Sequence, residues 1–246
     1  MLTYLTILLS LIIFFTVFFR RLNILKKGGE EKKAPPVQED FEEVIQEKKV
    51  SKKDQQMINS LCEKAEQKLK VGNEDEALKL LIQALALDEL NKEAQHKLAM
   101  LYMQKQMYSS AAALFRRLAE ITDEAVHYSH LGLAYFHQQD LENAREAYQK
   151  AVDLDPSRPQ RFVSLAQVYR ALSQLEEADM VMRRAIKIDE ENVDFLILLA
   201  DIQKDMGNKK ETIEILEKVL LIEKGNLDAL SLLKEARKME DVDNQV

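Results

Sequence analysis

Five small residues recur at a fixed interval along this chain: Ala77, Ala111, Ala144, Ala178 and Thr212 are separated by 34, 33, 34 and 34 residues. Each opens a segment of helical period whose later positions repeat as well. "EDEALKLLIQALALDE" (Glu74 to Glu89) matches "LENAREAYQKAVDLDP" (Leu141 to Pro156) and, again, "LEEADMVMRRAIKIDE" (Leu175 to Glu190). A second helical segment recurs ahead of these: "HKLAMLY", "SHLGLAY", "VSLAQVY" and "ILLADIQ", beginning at His96, Ser129, Val163 and Ile197. Self-similarity at such a period marks stacked supersecondary units rather than one globular core. A single helix pair cannot bury its own apolar face, so neighbouring pairs stack and stability resides largely in their interfaces. Small residues at fixed stations let two backbones approach, and bulky neighbours fill the space between them. The spacing is a packing rule.

Composition agrees with helices throughout. The 246 residues include only 6 Gly and 4 Pro, too few for a many-stranded architecture with its Gly- and Pro-rich turns. Gly72 and Gly207 fall in the short turn inside their units, where a positive φ costs glycine least. The carboxylate-rich stretches "NEDE" and "DLEN" read as helix N-termini, where acidic groups complement the dipole. Ser51, with Asp54 three residues on, is placed to cap the first helix. "LDALSLLKEARK", Leu227 to Lys238, has one apolar face and one charged face, as a closing helix should.

The stations can be read unit by unit. The third holds Leu131, Gly132, Tyr135, Ala144, Tyr148, Ala151 and Pro156, with Tyr128 ahead of them. The second has Leu98, Ala99, Tyr102, Ala111 and Phe115, but Leu118 where a later alanine is expected. The fourth has Leu165, Ala166, Tyr169, Ala178, Met182 and Ala185. The first (Ala65, Ala77, Leu81, Ala84) and fifth (Leu199, Ala200, Leu216) are looser, as terminal repeats often are. This pattern resembles the tetratricopeptide repeat (TPR) family over about residues 58 to 226. The resemblance implies an all-α, right-handed α-solenoid of about five helix pairs, residues 56–226, with a capping helix at 227–238 and a disordered tail at 239–246.

It also implies a function: the first helix of each unit lines a concave groove that holds a protein or peptide partner. The inward stations here are Glu66 and Leu69 in the first unit and His96, Met100 and Met103 in the second. The third supplies His130, Leu133, Phe136 and His137, the fourth Val163, Gln167 and Arg170, and the fifth Ile197, Leu198, Asp201 and Lys204. The central apolar strip suits an amphipathic helix or an extended peptide, and its methionines add adaptability. Chaperone-binding members of the family grip a terminal carboxylate with Lys, Asn and Arg. The corresponding stations here are Cys62, Glu66, Lys97, Val126 and His130, so that clamp is missing.

No catalytic chemistry is expected. Phosphate-binding glycine loops, the G-x-S-x-G elbow and H-E-x-x-H are all absent. His127 and His130 are spaced to share a metal on one helix face, while His137 lies about 10 Å further along. No third ligand sits beside them in sequence, so neither a metal nor a cofactor is expected, and His130 and His137 read as groove contacts. Cys62 is the only cysteine, which excludes an intrachain disulfide and a multi-cysteine zinc site.

The N-terminus is of another kind. Met1 to Phe19 carries no charged side chain, and thirteen of the eighteen residues from Leu2 to Phe19 are Leu, Ile, Val or Phe. As a helix that run spans about 27 Å, close to a hydrocarbon core of roughly 30 Å. Its apolar residues contribute roughly −4 to −8 kcal/mol towards insertion. Residues 1–25 are therefore read as a transmembrane anchor. A cleavable signal would want a basic start and a small-residue cleavage site, whereas this run ends in Phe18-Phe19-Arg20-Arg21.

Arg20, Arg21, Lys26, Lys27, Lys32 and Lys33 all follow the span, which sets the N-terminus outside and the repeats in the cytoplasm, as in a single-pass bacterial inner-membrane protein. Residues 26–55, broken by Gly28-Gly29 and Pro35-Pro36, read as a charged flexible linker. Of 35 basic and 42 acidic residues, setting aside those six and the adjacent Glu30 and Glu31 leaves about −11 downstream. Such a surface repels a phosphate backbone, so no nucleic acid is expected, and no small-molecule substrate either. The sequence thus predicts a membrane-anchored TPR scaffold. The alternatives are an import receptor on an organelle outer membrane, or an extracytoplasmic assembly factor released by signal cleavage.

Overall fold

The computed structural model describes residues 50–238, and the transmembrane reading of 1–25, the linker up to residue 49 and the tail 239–246 lie outside them. Among the described residues there are eleven helices and no strand. They run α1 Lys52–Lys70, α2 Glu74–Leu87, α3 Lys92–Gln104, α4 Tyr108–Thr122, α5 Ala125–His137 and α6 Leu141–Leu154. Then come α7 Pro159–Ala171, α8 Leu175–Ile188, α9 Val193–Asp205, α10 Lys209–Ile222 and α11 Leu227–Ala236. Consecutive helices pair into five hairpins, and α11 closes the last of them. None of these helices is long and apolar enough to cross a membrane.

Local chemistry sets the boundaries. Ser51 accepts from the Asp54 backbone N–H at 3.1 Å and starts α1 at Lys52. Residues 52–55, expected at the end of the linker, are therefore the first turn of the helix. Asn73, Asn91, Asp140, Asn192 and Asn226 cap α2, α3, α6, α9 and α11 in the same way, each satisfying an orphan N–H. Inside every unit the first helix ends on the same left-handed turn. Asn73, Met107, Asp140, Gln174 and Asn208 each donate their backbone N–H to the carbonyl five residues back, a Schellman closure. The residue before each of them has a positive φ: Gly72 (74°), Gln106 (58°), Gln139 (62°), Ser173 (60°) and Gly207 (79°). Glycine fills the turn only in the two terminal units.

The expected small residues do pack. Ala77, Ala111, Ala144, Ala178 and Thr212 are completely inaccessible, as are Ala99, Ala166 and Ala200 on the first helices. Thr212 keeps its hydroxyl satisfied by donating to the Asn208 carbonyl at 2.9 Å. Three apolar patches follow one another along the solenoid. The first joins Ile58, Cys62 and Leu81 to Leu98 and Leu101; the second runs from Ala99 and Phe115 to Leu199 and Ile202. The third joins Leu196, Leu216 and Val219 to Ala229 and Leu233 of α11. The odd-numbered helices are left with one face turned away from these patches, and that face positions the groove.

Candidate binding groove

Helical period decides what each odd-numbered helix shows on its free face. Counting from the residue that precedes the helix, the same few stations remain accessible in α3, α5, α7 and α9. They hold Glu93, Lys97, Met100 and Gln104 on α3, and Val126, His130, Leu133 and His137 on α5. On α7 they hold Gln160, Ser164, Gln167 and Ala171, and on α9 Asp194, Leu198, Asp201 and Asp205. That face is hollow. An open cleft of about 530 Å³ runs across α5, α7 and α9, lined by Phe136, Gln167, Arg170, Ala171, Leu198 and Asp205. A smaller one of about 190 Å³ lies between α5 and α7, lined by Val126, Ser129, His130, Arg158, Gln160, Arg161 and Ser164.

The expected groove residues fall into three groups. Met100, 42 % exposed, and Leu133, 37 % exposed, stand out as apolar knobs, with Gln167 and His137 also exposed. His96, His130, Arg170, Ile197 and Asp201 are half-buried, and so are Met103 and Phe136, whose flanks lie against the central core. Val163 departs from the expectation. It is only 6 % exposed and belongs to the core beneath the groove. Its station is held by His96 in α3 and Ile197 in α9, whose longer side chains emerge where a valine stays below the surface. Ser164 and Asp205 line the two clefts although they were not among the expected residues; helical spacing from Gln167 and Asp201 is the signal that finds them.

Ion pairs brace the floor between successive odd helices. Lys97 of α3 pairs with Glu66 of α1 and, at 2.8 Å, with Glu93. At the other end Arg170 reaches Asp205 at 2.6 Å and Asp201 at 3.5 Å, and Lys204 reaches Asp201 at 3.1 Å and Glu235 at 3.3 Å. The centre is different. His96 and His130 pack on Phe115, at 5.9 and 5.0 Å, and the His96 ring lies 5.5 Å from that of His127 and 5.7 Å from that of His130. His96 is 31 residues from His127 in sequence, and only the stacking of α3 on α5 brings it in. The rings meet largely edge to face, and Nδ1 of His127 hydrogen-bonds Thr122 Oγ1 at 2.8 Å. Among the described residues no group of three His, Cys, Asp or Glu is arranged to hold a metal ion. His137 stands apart and stacks on Tyr108 at 4.7 Å.

Burial pushes the His130 imidazole down to about 4, and the neighbouring His96 and His127 add to it. His96 and His127 shift the same way, each mainly by burial. The three imidazoles therefore add no charge to the centre of the groove at neutral pH, and the guanidiniums that line it, Arg158 and Arg161, are both paired to Asp155. Such a surface presents apolar side chains beside uncharged hydrogen-bonding groups.

Family models described as tetratricopeptide repeat match residues 68–131, 125–158, 160–192 and 193–226, together well over half of the chain. None of them is an enzyme family. No curated protein matches the chain. Among solved structures, MamA from Desulfovibrio magneticus RS-1 (residues 41 to the end) superposes with a TM-score of 0.64 at 17 % identity, covering 72 % of this chain and 99 % of that one. YrrB, described as a TPR protein with an unusual peptide-binding site, gives 0.62 at 20 % identity over 71 % and 90 %. PilF of Pseudomonas aeruginosa gives 0.61 at 17 % identity over 76 % and 86 %. At these identities the likeness is one of fold.

Proposed function

The chain belongs to the tetratricopeptide repeat family, and from that premise we propose that it is a membrane-tethered adaptor that holds a protein or peptide partner along its odd-numbered helices. The observation that carries the reading is the open cleft across α5, α7 and α9, with Leu133 and Met100 exposed at the matching stations of α5 and α3. Exposed apolar side chains on an open face favour an occupant that covers them, at roughly 25 cal/mol for each Å² removed from water. YrrB is described as having a peptide-binding site, and the same use of the fold is assigned to this chain as part of the proposal.

The tether rests on the sequence of residues 1–25: an uncharged apolar run followed by Arg20 and Arg21. In this reading the N-terminus faces outward, the repeats lie in the cytoplasm, and the partner is recruited to the membrane. Two measurements on cells test the two halves separately. Proximity labelling from the full chain should lose a defined set of proteins when Met100 and Leu133 are both changed to Glu; an identical labelled set argues against the groove. Alkaline carbonate washing should leave the full chain in the membrane pellet and release a chain lacking residues 1–25. Release of both argues against the anchor.

A further inference from the structure

The groove is graded in charge along its length, and the grading specifies its occupant. The free face of α5 carries no carboxylate, lysine or arginine: it holds Val126, His130, Leu133 and His137. That of α7 adds Gln160, Ser164 and Gln167, all uncharged, with the cation at its start, Arg158, set against Asp155. Beyond them the face turns acidic. Asp194, Asp201 and Asp205 follow one stripe of α9, and Asp228 and Glu235 take the equivalent stations on α11. Against these five carboxylates stand Arg170 and Lys204, both already engaged with Asp201, Asp205 or Glu235. Asp194 and Asp228 are exposed and make no ion pair with any described residue.

Resting on the reading of this face as the binding surface, we propose that the occupant is a polypeptide segment with an apolar centre and lysine or arginine at the end that lies over α9 and α11. The apolar centre seats against Met100, Leu133 and Phe136, and the amides of Gln167 and Gln160 offer hydrogen bonds to its backbone. The cationic end meets Asp194 and Asp228, which no described residue pairs. A nucleic acid or an anionic lipid surface would bring phosphates to the same carboxylates and be repelled. The occupant is a protein.

Three fluorescent synthetic peptides test this on the full chain in neutral detergent micelles. They share one amphipathic leucine-rich centre and end in four lysines, four glutamines or four glutamates, each made in both chain directions. By anisotropy at about 50 mM salt, the lysine peptide in one direction should bind about tenfold or more tighter than the glutamate peptide, a gap that narrows at about 300 mM. Changing Asp194 and Asp228 to Asn should weaken the lysine peptide several-fold and leave the glutamine peptide unchanged. Leu133→Glu should weaken all three. Equal binding of lysine and glutamate peptides, or no binding of the lysine peptide, overturns the charge assignment. All three bound unchanged by a Leu133→Glu protein with wild-type helicity overturns the groove itself.

Discussion

A methyl group added at Gly132 would stand 2.8 Å from Cδ2, 2.9 Å from Cγ and 3.0 Å from Cδ1 of Tyr148, inside the range that real side chains keep. The ring cannot swing away freely, because Tyr148 is buried and its hydroxyl, with a pKa pushed up to about 12 by that burial, lies in the interior. The same station carries Ala99, Ala166 and Ala200 in neighbouring units, opposite Phe115, Met182 and Leu216 rather than a tyrosine. The third unit thus trades a methyl on one helix for a larger ring on the other. Gly132→Ala should destabilise the repeat domain by about 1–3 kcal/mol through overpacking, and adding Tyr148→Met, which copies the fourth unit, should recover most of that loss. Urea unfolding of the single and double variants checks it; a single variant as stable as the wild type would mean that the ring gives way.

Residues of this kind are legible in a sequence because close packing leaves alanine or glycine no substitute and the period shows where to look. Other residues are not. Val163 occupies an inward station by count, but its short β-branched side chain never reaches the surface. Gln106, Gln139 and Ser173 adopt positive φ without any preference for it; the Schellman closure imposes that conformation from both sides. Charge on the groove floor was only half readable: Asp201 and its partner Lys204, three residues on along the same helix, were, but the pairing of Asp201 to Arg170 depends on how α7 and α9 stack.

At the scale of elements, the junction between the second and third units stands out. Helix α4 has 15 residues where its counterparts have 14, and only Asp123 and Glu124 separate it from α5, against four residues at the other junctions. One residue gained and two lost give the single 33-residue period, and Asp123 turns the corner with φ 48°. The tight corner carries His127 into the interface beside His96 and His130. All three imidazoles are held below their ordinary value of 6.5, so the unfolded chain binds protons that the folded one does not. Their contribution to stability is complete above about pH 6.5 and is lost as the pH falls toward about 4. Glu124, 3.9 Å from His127, opposes this, while Lys92 and Lys97 reinforce it. After discounting for partial exposure, His130 should account for about 1–2 kcal/mol of the loss between pH 7 and pH 5. The measurement is the pH slope of urea unfolding in wild type and in His130→Gln. Parallel slopes would show that this imidazole does not titrate across unfolding.

Among the described residues the helix pairs pack chiefly on their neighbours, so stability is a chain of local interfaces rather than one shared core. The three apolar patches express this: the last depends on α11, whose Ala229 and Leu233 complete the burial of Leu196, Leu216 and Val219. A chain ending at Asn226 would expose that patch and remove the partner of Lys204, Glu235. If coupling passes only between neighbours, the loss stays local. Amide hydrogen exchange in α10 and the C-terminal half of α9 should then accelerate by about tenfold or more, while α3 to α6 keep their protection. The graded groove would fail at its acidic end first, because Asp228 and Glu235 leave with α11 and Asp201 and Asp205 sit on the half of α9 that frays. A uniform rise in exchange from α1 to α10 would contradict this picture. It would mean that the repeats unfold as one cooperative body, in which the ends of the groove could not loosen independently of its centre.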